Sequence, residues 1–483
     1  MLTMKKFVKI LSLILVILMV ASVLFACNDD GNNTDDSTSQ EATPSYDGIF
    51  QVGYSRYDIS PTTNILLKDG RLMTGVADPI YTTCIAVHDG DTTVLIYTID
   101  VSNIKEDQYE LIRKRVSSAV NVPIENIVIA PTHNHSAPNP GIPGNNANNV
   151  SWTLNVVHTG MIESAKEAIA DLDDAEILTA VGKTTGMAFV RRYFLTDGSF
   201  RSIQSPANTS TAAYASYESD ADDTVQVIRF VRENKKDVVL ANWQAHVAHA
   251  ITVHKESISG DFVGIARKIA ESLDDDILFA MYIGASGNIN LNAKVPGTQK
   301  YTDYTQVGRA LGRTIVETFE NMEKVEAGKI SVSSTKYVAT VRKDTEKRVA
   351  EAKRVYAKKD ADNYDELVLE YGFESKYDVE YTIFRNDSLG ATDELPLSAI
   401  SFGDLGFVTV PFEMFDTNGM EIKDGSPFKT TFVLTNTGDS MAYVPSALAV
   451  PNGGYEVYTT HYEFGTGEKV AAALVDLLKG QAK

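Results

Sequence analysis

The sequence predicts an α/β protein, with a mixed sheet core flanked by helices and a metal site built at strand ends. Three observations carry this. Short apolar runs alternate with stretches whose apolar residues recur at helical spacing. Several of the runs end on polar, chemically capable residues. Of the eight histidines, His133 and His135 follow one run, and His246, His249 and His254 follow another. Surface histidines scattered at random would not gather in this way.

The chain opens with Lys5, Lys6 and Lys9, an almost wholly apolar stretch from Phe7 to Leu24, and then Leu24-Phe25-Ala26-Cys27 followed by Asn28-Asp29-Asp30. A basic start, an apolar run and a small residue before cysteine read as a lipoprotein signal peptide over 1–27, with Cys27 as the lipidated new N-terminus. The alternative is a plain N-terminal anchor, since roughly 18 apolar residues can just span a bilayer. Both readings place the rest outside the cytoplasmic membrane. Residues 28–47 are rich in Asn, Asp, Ser and Thr and offer little to bury, so they read as a disordered tether. The folded domain is expected over 48–483, without a further break.

Cys84 is then the one remaining thiol. It lies in the strand-like Thr82–Val87 run, which points to packing rather than catalysis. The net charge of −20 argues against nucleic acid as a partner and keeps the body of the protein off an anionic membrane. The membrane partnership expected is the lipid anchor alone.

Next come a strand at Thr93–Asp100 and a helix starting near Ser102 or Asn103, with Ile104, Tyr109, Ile112 and Val116 on one face. Residues 159–172, 262–273, 304–321 and 466–479 repeat the helical pattern. A long, highly charged helix is expected over 343–371, with a solvated face. Asp223–Val231 and Lys329–Val341 read as antiparallel additions, which favours a mixed sheet.

The chemistry sits where apolar runs stop. Ile127–Ala130 leads through Pro131 into Thr132-His133-Asn134-His135-Ser136, and an H-x-H in turning backbone can aim two imidazoles to one side. Val238–Trp243 leads into His246, His249 and His254. Ile277–Ile283 leads into the turn Gly284–Asn290. Leu405–Val410 leads through Pro411 to Glu413, and Phe432–Leu434 precedes Asp439 and Tyr443. Strands that deliver His, Glu and Tyr to one sheet edge suit a borderline metal ion.

In sequence order these motifs resemble the N-terminal catalytic domain of the neutral, non-lysosomal ceramidases. Gly53-Tyr54-Ser55-Arg56-Tyr57-Asp58-Ile59-Ser60-Pro61 is similar to the family's opening. Gly75–Tyr81, Thr132–Ser136, and Arg191-Arg192 before Asp197-Gly198 follow in the family's order. The resemblance implies one zinc ion held by His133, His246, Glu413 and Tyr443. His249 is a rival to His246, because the proline expected after the histidine is Val247 here. The resemblance also implies that His135 faces the substrate, as do Arg192 and Tyr443. In such a site zinc polarises an amide carbonyl and lowers the pKa of water.

Two departures stand out. The family's Gly-Asp-Val-Ser-Pro-Asn carries an essential serine, and the aligned Gly287–Asn292 places Asn290 there. An amide cannot attack, but it can hydrogen-bond an oxyanion. The ceramidases also carry a C-terminal β-sandwich domain, which is not expected within 48–483. The reading is an extracytoplasmic zinc-dependent hydrolase of linear N-acyl amides, with small-molecule or lipid substrates. The alternative is a surface lipoprotein of the same fold that binds a ligand without turnover.

Overall fold

In the run Tyr81–His88, Cys84 and Ala86 serve one core cluster while Ile85 and Val87 serve another. A strand apolar on both sides needs cover on both faces. The computed structural model describes residues 48–141, 146–203, 210–438 and 442–482, and it supplies that cover with four layers. Cys27, the 28–47 segment and Asp439 lie outside the described residues. Among the described residues no helix is long and apolar enough to cross a membrane.

The larger sheet contains β1 (Gln51–Asp58), β2 (Tyr81–His88), β3 (Thr93–Ile99), β4 (Ile127–Pro131), β5 (Asp173–Lys183), β6 (Thr224–Arg232), β7 (Asp237–Trp243) and β8 (Ile277–Ile283). Their spatial order is β8-β7-β6-β5-β1-β2-β3-β4, and β9 (Glu323–Val325) adds against β5. The inner neighbours are antiparallel, but the outer pairs β3/β4 and β7/β8 are parallel. A second sheet follows: β10 (Ser331–Thr340), β11 (Thr392–Phe402), β12 (Leu405–Thr409) and β13 (Thr430–Leu434), in that order, with β12/β13 parallel. The mixed sheet and flanking helices read from the sequence are present. The strand-like runs belong to two stacked sheets rather than one, because a run buried on both faces does not specify which sheet it joins.

Phe50, Phe230 and Phe402 meet between the sheets, with ring centroids 5.7 to 6.4 Å apart. Helices cover the outer faces. Ile112 and Val116 of α1 (Glu106–Val120) and Met161 and Ala165 of α2 (His158–Ala170) pack on β2–β4. Phe262 and Ala266 of α3 (Asp261–Leu273), with Leu311 and Ile315 of α4 (Tyr304–Glu317), pack on β7 and β8. The expected charged helix over 343–371 is instead two helices, α5 (Glu346–Tyr356) and α6 (Tyr364–Glu370). The polar stretch Lys358–Asn363 supplies turn residues between them. A third, α7 (Lys376–Asp387), begins at the Ser375 cap and was not anticipated, since its apolar residues keep no clean helical period. Ala352, Val355, Phe373 and Val379 give these three helices a small core of their own. Finally, α8 (Asp416–Gly425) and α9 (Thr466–Gln481) cover the second sheet through Ile422, Val470 and Leu474.

Three hydroxyl bonds tie the edge strand β8 back to β1 and β3 of the same sheet. Tyr282 of β8 donates to Ile96 O (3.0 Å), Thr98 of β3 donates to Met281 O (2.8 Å), and Tyr54 donates to Phe279 O (3.1 Å). The Asn242 amide then joins the two sheets, donating to Val433 O (3.2 Å) and accepting from Val433 N–H (3.2 Å). The carboxyl ends of β4, β7, β8 and β12 therefore meet in one place. Ligand sites in open α/β sheets form at such strand ends.

At Gly53 an added Cβ would lie 1.9 Å from the Ala168 carbonyl oxygen, so β1 and α2 approach as only glycine permits. Gly53→Ala is expected to destabilise the fold by about 3 kcal/mol, seen as a lower denaturant midpoint at an unchanged slope.

Candidate metal centre

Beyond β4 the backbone enters the left-handed region at His133 (φ 58°), a conformation that costs a branched-out L-residue about 1–2 kcal/mol. Two bonds hold the strained turn: Asn134 N–H donates to Val101 O (3.0 Å) and His135 N–H to Val247 O (2.8 Å). His246 stands beyond β7, its N–H donating to Ile289 O (3.0 Å). Glu413 stands beyond β12 and Pro411, where Glu413–Met414 pairs with Tyr443–Val444.

These turns bring the side chains together. Glu413 Oε2 lies 2.9 Å from His246 Nε2 and 3.3 Å from His133 Nε2. His135 Nε2 lies 3.2 Å from His133 Nε2, and the Tyr443 hydroxyl lies 3.4 Å from His246 Nε2. His133 and His246 are buried, while His135 is the least buried of the three imidazoles.

The protons decide what this cluster can hold. His133 Nδ1 faces Ser102 O at 3.1 Å, and His246 Nδ1 faces Ser286 O at 2.8 Å. A carbonyl only accepts, so each ring keeps its proton on Nδ1 and turns an Nε2 lone pair toward Glu413. Glu413 Oε2 is buried and has no hydrogen-bond donor among the described residues. Two lone pairs and a carboxylate oxygen at this spacing repel one another unless a cation sits among them. Carbonyls fixing the far nitrogen are also the usual support of a metal-bound imidazole. The residues present thus fit a divalent metal ion. Burial, and then the Arg191 cation, push His246 down to about 4, and burial with its two imidazole neighbours holds His135 well below its ordinary value. Neutral imidazole is the form that binds metal.

The structure thus gathers His133, His135, His246, Glu413 and Tyr443. Asn290 lies in the short strand Ile289–Asn290, paired with Phe189–Val190, one residue beyond the carbonyl that receives His246 N–H. His249 is not in the cluster, and its Nε2 accepts from Leu291 N–H (3.3 Å). His254 faces the Tyr304 hydroxyl (2.9 Å).

Arg192 does not face the cluster. It is fully buried and forks onto Glu218 (2.6 and 2.9 Å), Glu456 (3.0 Å) and the carbonyls of Ala449 (3.0 Å) and Gly453 (2.8 Å). Its neighbour Arg191 is the one that lies against the site. The Arg191 guanidinium sits 5.2 Å over the Tyr443 ring, bonds Glu456 through Nε (2.8 Å), and leaves Nη2 without a hydrogen-bond partner among the described residues. Side chains alternate along extended chain, so choosing the second arginine of the pair chose the wrong face. Tyr455, its ring 5.4 Å from that of Tyr443, was also missed. No local pattern around it marks it.

The fold and site define a mixed α/β protein with a cluster of metal-ligand type at its strand ends. The family described as neutral/alkaline non-lysosomal ceramidase, N-terminal, matches residues 50–340, and the chain belongs to that family. Among solved structures it is similar to the neutral ceramidase from Pseudomonas aeruginosa (16% identity, TM-score 0.65, covering 89% of this chain and 74% of that one). It is also similar to the structure of a ceramidase complexed with C2 (16% identity, TM-score 0.64, covering 90% of this chain and 76% of that one). A search of curated proteins gives no match. Membership of that family marks the chain as a ceramidase-like hydrolase of the amide-bond class.

Arg192→Ala leaves the buried Glu218 without its cation and Glu456 with Arg191 alone, so a loss of about 3–5 kcal/mol in unfolding free energy is expected. A stability close to wild type, with impaired substrate binding, would instead return Arg192 to the site.

Proposed function

We propose that the protein is a zinc-dependent hydrolase of N-acyl amide bonds, tethered outside the cytoplasmic membrane by a lipid on Cys27. The location rests on the basic start, apolar run and small residue before Cys27. The observation that carries the chemistry is Glu413 Oε2, buried between two Nε2 lone pairs whose protons are held away by Ser102 and Ser286.

His133, His246 and Glu413 would hold the zinc, with Tyr443 at the rim, a two-imidazole and one-carboxylate set of the kind catalytic zinc sites use. Bound zinc supplies Lewis acidity to an acyl carbonyl and to water. The chain's own groups do the rest. His135, neutral and least buried, donates to the developing oxyanion. Asn290 adds an amide donor but cannot act as a nucleophile, so water attacks the carbonyl carbon. The Tyr443 hydroxyl, 3.4 Å from His246 Nε2, is a donor within reach of the substrate or the leaving amine. The Arg191 cation adds positive potential beside that ring. The family supports amide substrates, and the tether admits membrane lipids and soluble amides alike. Ceramide is one member of that class.

Elemental analysis of the mature protein tests this. Roughly one zinc per chain is expected, lost in His133→Ala, and chelation should abolish amide hydrolysis reversibly. No zinc in the reconstituted wild type would sink the reading. His135→Ala is expected to keep the metal and lower turnover by roughly 10²–10⁴-fold. Asn290→Ser reports on the substrate: a gain of ceramide hydrolysis would mark the rest of the site as competent for that lipid, and no gain would place the substrate elsewhere among N-acyl amides.

A further inference from the structure

His246 and Glu413 follow strands of different sheets, yet their functional atoms stand 2.9 Å apart. One segment touches both. The turn after β8 receives His246 twice, at Ser286 O from the ring and at Ile289 O from the backbone. The same turn reaches the Glu413 strand, where Gly287 N–H donates to Met414 O (2.8 Å). At Gly287 an added Cβ would fall 2.6 Å from Glu413 O, so the two backbones are in direct contact. Asn288 completes the hold. Its Nδ2 donates to Asp416 Oδ1 (2.7 Å), and its Oδ1 accepts from Asp416 N–H (3.0 Å). Its own carbonyl accepts from Arg191 N–H (2.8 Å). Both side chains are buried.

We propose that Asn288 and Asp416 form a positioning pair that sets the Glu413 carboxylate against the His246 imidazole. The inference rests on the metal reading above and adds two residues that touch neither metal nor substrate. The physical argument is one of tolerance. A metal site needs its ligands placed to within tenths of an ångström, and groups that orient ligands typically change metal affinity 10–100-fold when altered. Without the pair, the turn still grips His246 and Glu413 still pairs with the Tyr443 strand, but between the turn and the Glu413 strand the backbone bond from Gly287 to Met414 is left to set the two against each other. Asp416 also accepts from Thr417 N–H (2.8 Å) and Asp222 N–H (3.1 Å), so its oxygens already face donors, while burial lifts it to about 6. The amide of Asn288 is therefore its natural partner, and a second carboxylate there is not.

That asymmetry gives the test. Asn288→Asp sets two carboxylates face to face in a buried place, where both cannot ionise. Adding Asp416→Asn restores one amide and one carboxylate with the roles exchanged. Zinc affinity is read by competition with a chromophoric chelator, and the fold of the metal-free protein by circular dichroism and melting. The expected result is at least a tenfold loss of zinc affinity in Asn288→Asp, with part of it recovered in the double variant, since Thr417 N–H shares the Asp416 oxygen that the exchange replaces. Gly53→Ala, destabilised at a distance, should melt early yet keep wild-type affinity. If Asn288→Asp does not fold, Asp416→Asn carries the test with a several-fold loss. Wild-type affinity in the folded variant at either position, or a folded double variant no better than Asn288→Asp, overturns the positioning role. A wild-type protein that takes up no zinc overturns the metal reading itself, and the pair's role falls with it.

Discussion

A carboxylate oxygen and two imidazole lone pairs compete for one small volume, and much of the structure answers that competition. Glu413, His133 and His246 converge because the carbonyls of Ser102 and Ser286 hold the ring protons on the far side. If either carbonyl were displaced, the ring could turn its N–H inward and satisfy Glu413 directly. The cluster would then be an ordinary buried hydrogen-bonded group with no call for a cation. The loops carrying those carbonyls are therefore as much part of the site as the side chains.

The architecture explains how they arrive together. In the two large sheets, the parallel pairs β3/β4, β7/β8 and β12/β13 end on the same side, and each contributes at its carboxyl end: His133 after β4, His246 and the 284–290 turn after β7 and β8, Glu413 after β12. The antiparallel strands between them serve mainly to separate and orient these pairs. The Asn242 amide fixes the sheets to each other at the level of the site, where sliding would do most harm.

Much of this was legible in the sequence, for a local reason. An apolar run that stops on His-x-His or on Pro-x-Glu shows both the rigid support and the group it presents, and strand ends can be read without knowing their neighbours. His133, His135, His246, Glu413 and Tyr443 were recognisable on that basis together with family resemblance. What escaped depends on contacts far apart in the chain. The division of strands into two sheets follows from which faces meet, and Ile85 and Val87 look the same whichever sheet covers them. Arg191 and Arg192 differ only in the face they take. The carbonyls of Ser102 and Ser286 leave no side-chain signature. The break between α5 and α6 and the start of α7 were hidden by a charged composition that suits helix and turn alike.

His133 illustrates how function can run against comfort. Its left-handed backbone would suit glycine better than any L-residue. A search of sequence variants ranked by thermal stability alone would therefore be drawn toward discarding the residue on which the cluster depends. Within this fold, a site can be recognised by the positions where the chain accepts a less stable choice than the one available to it.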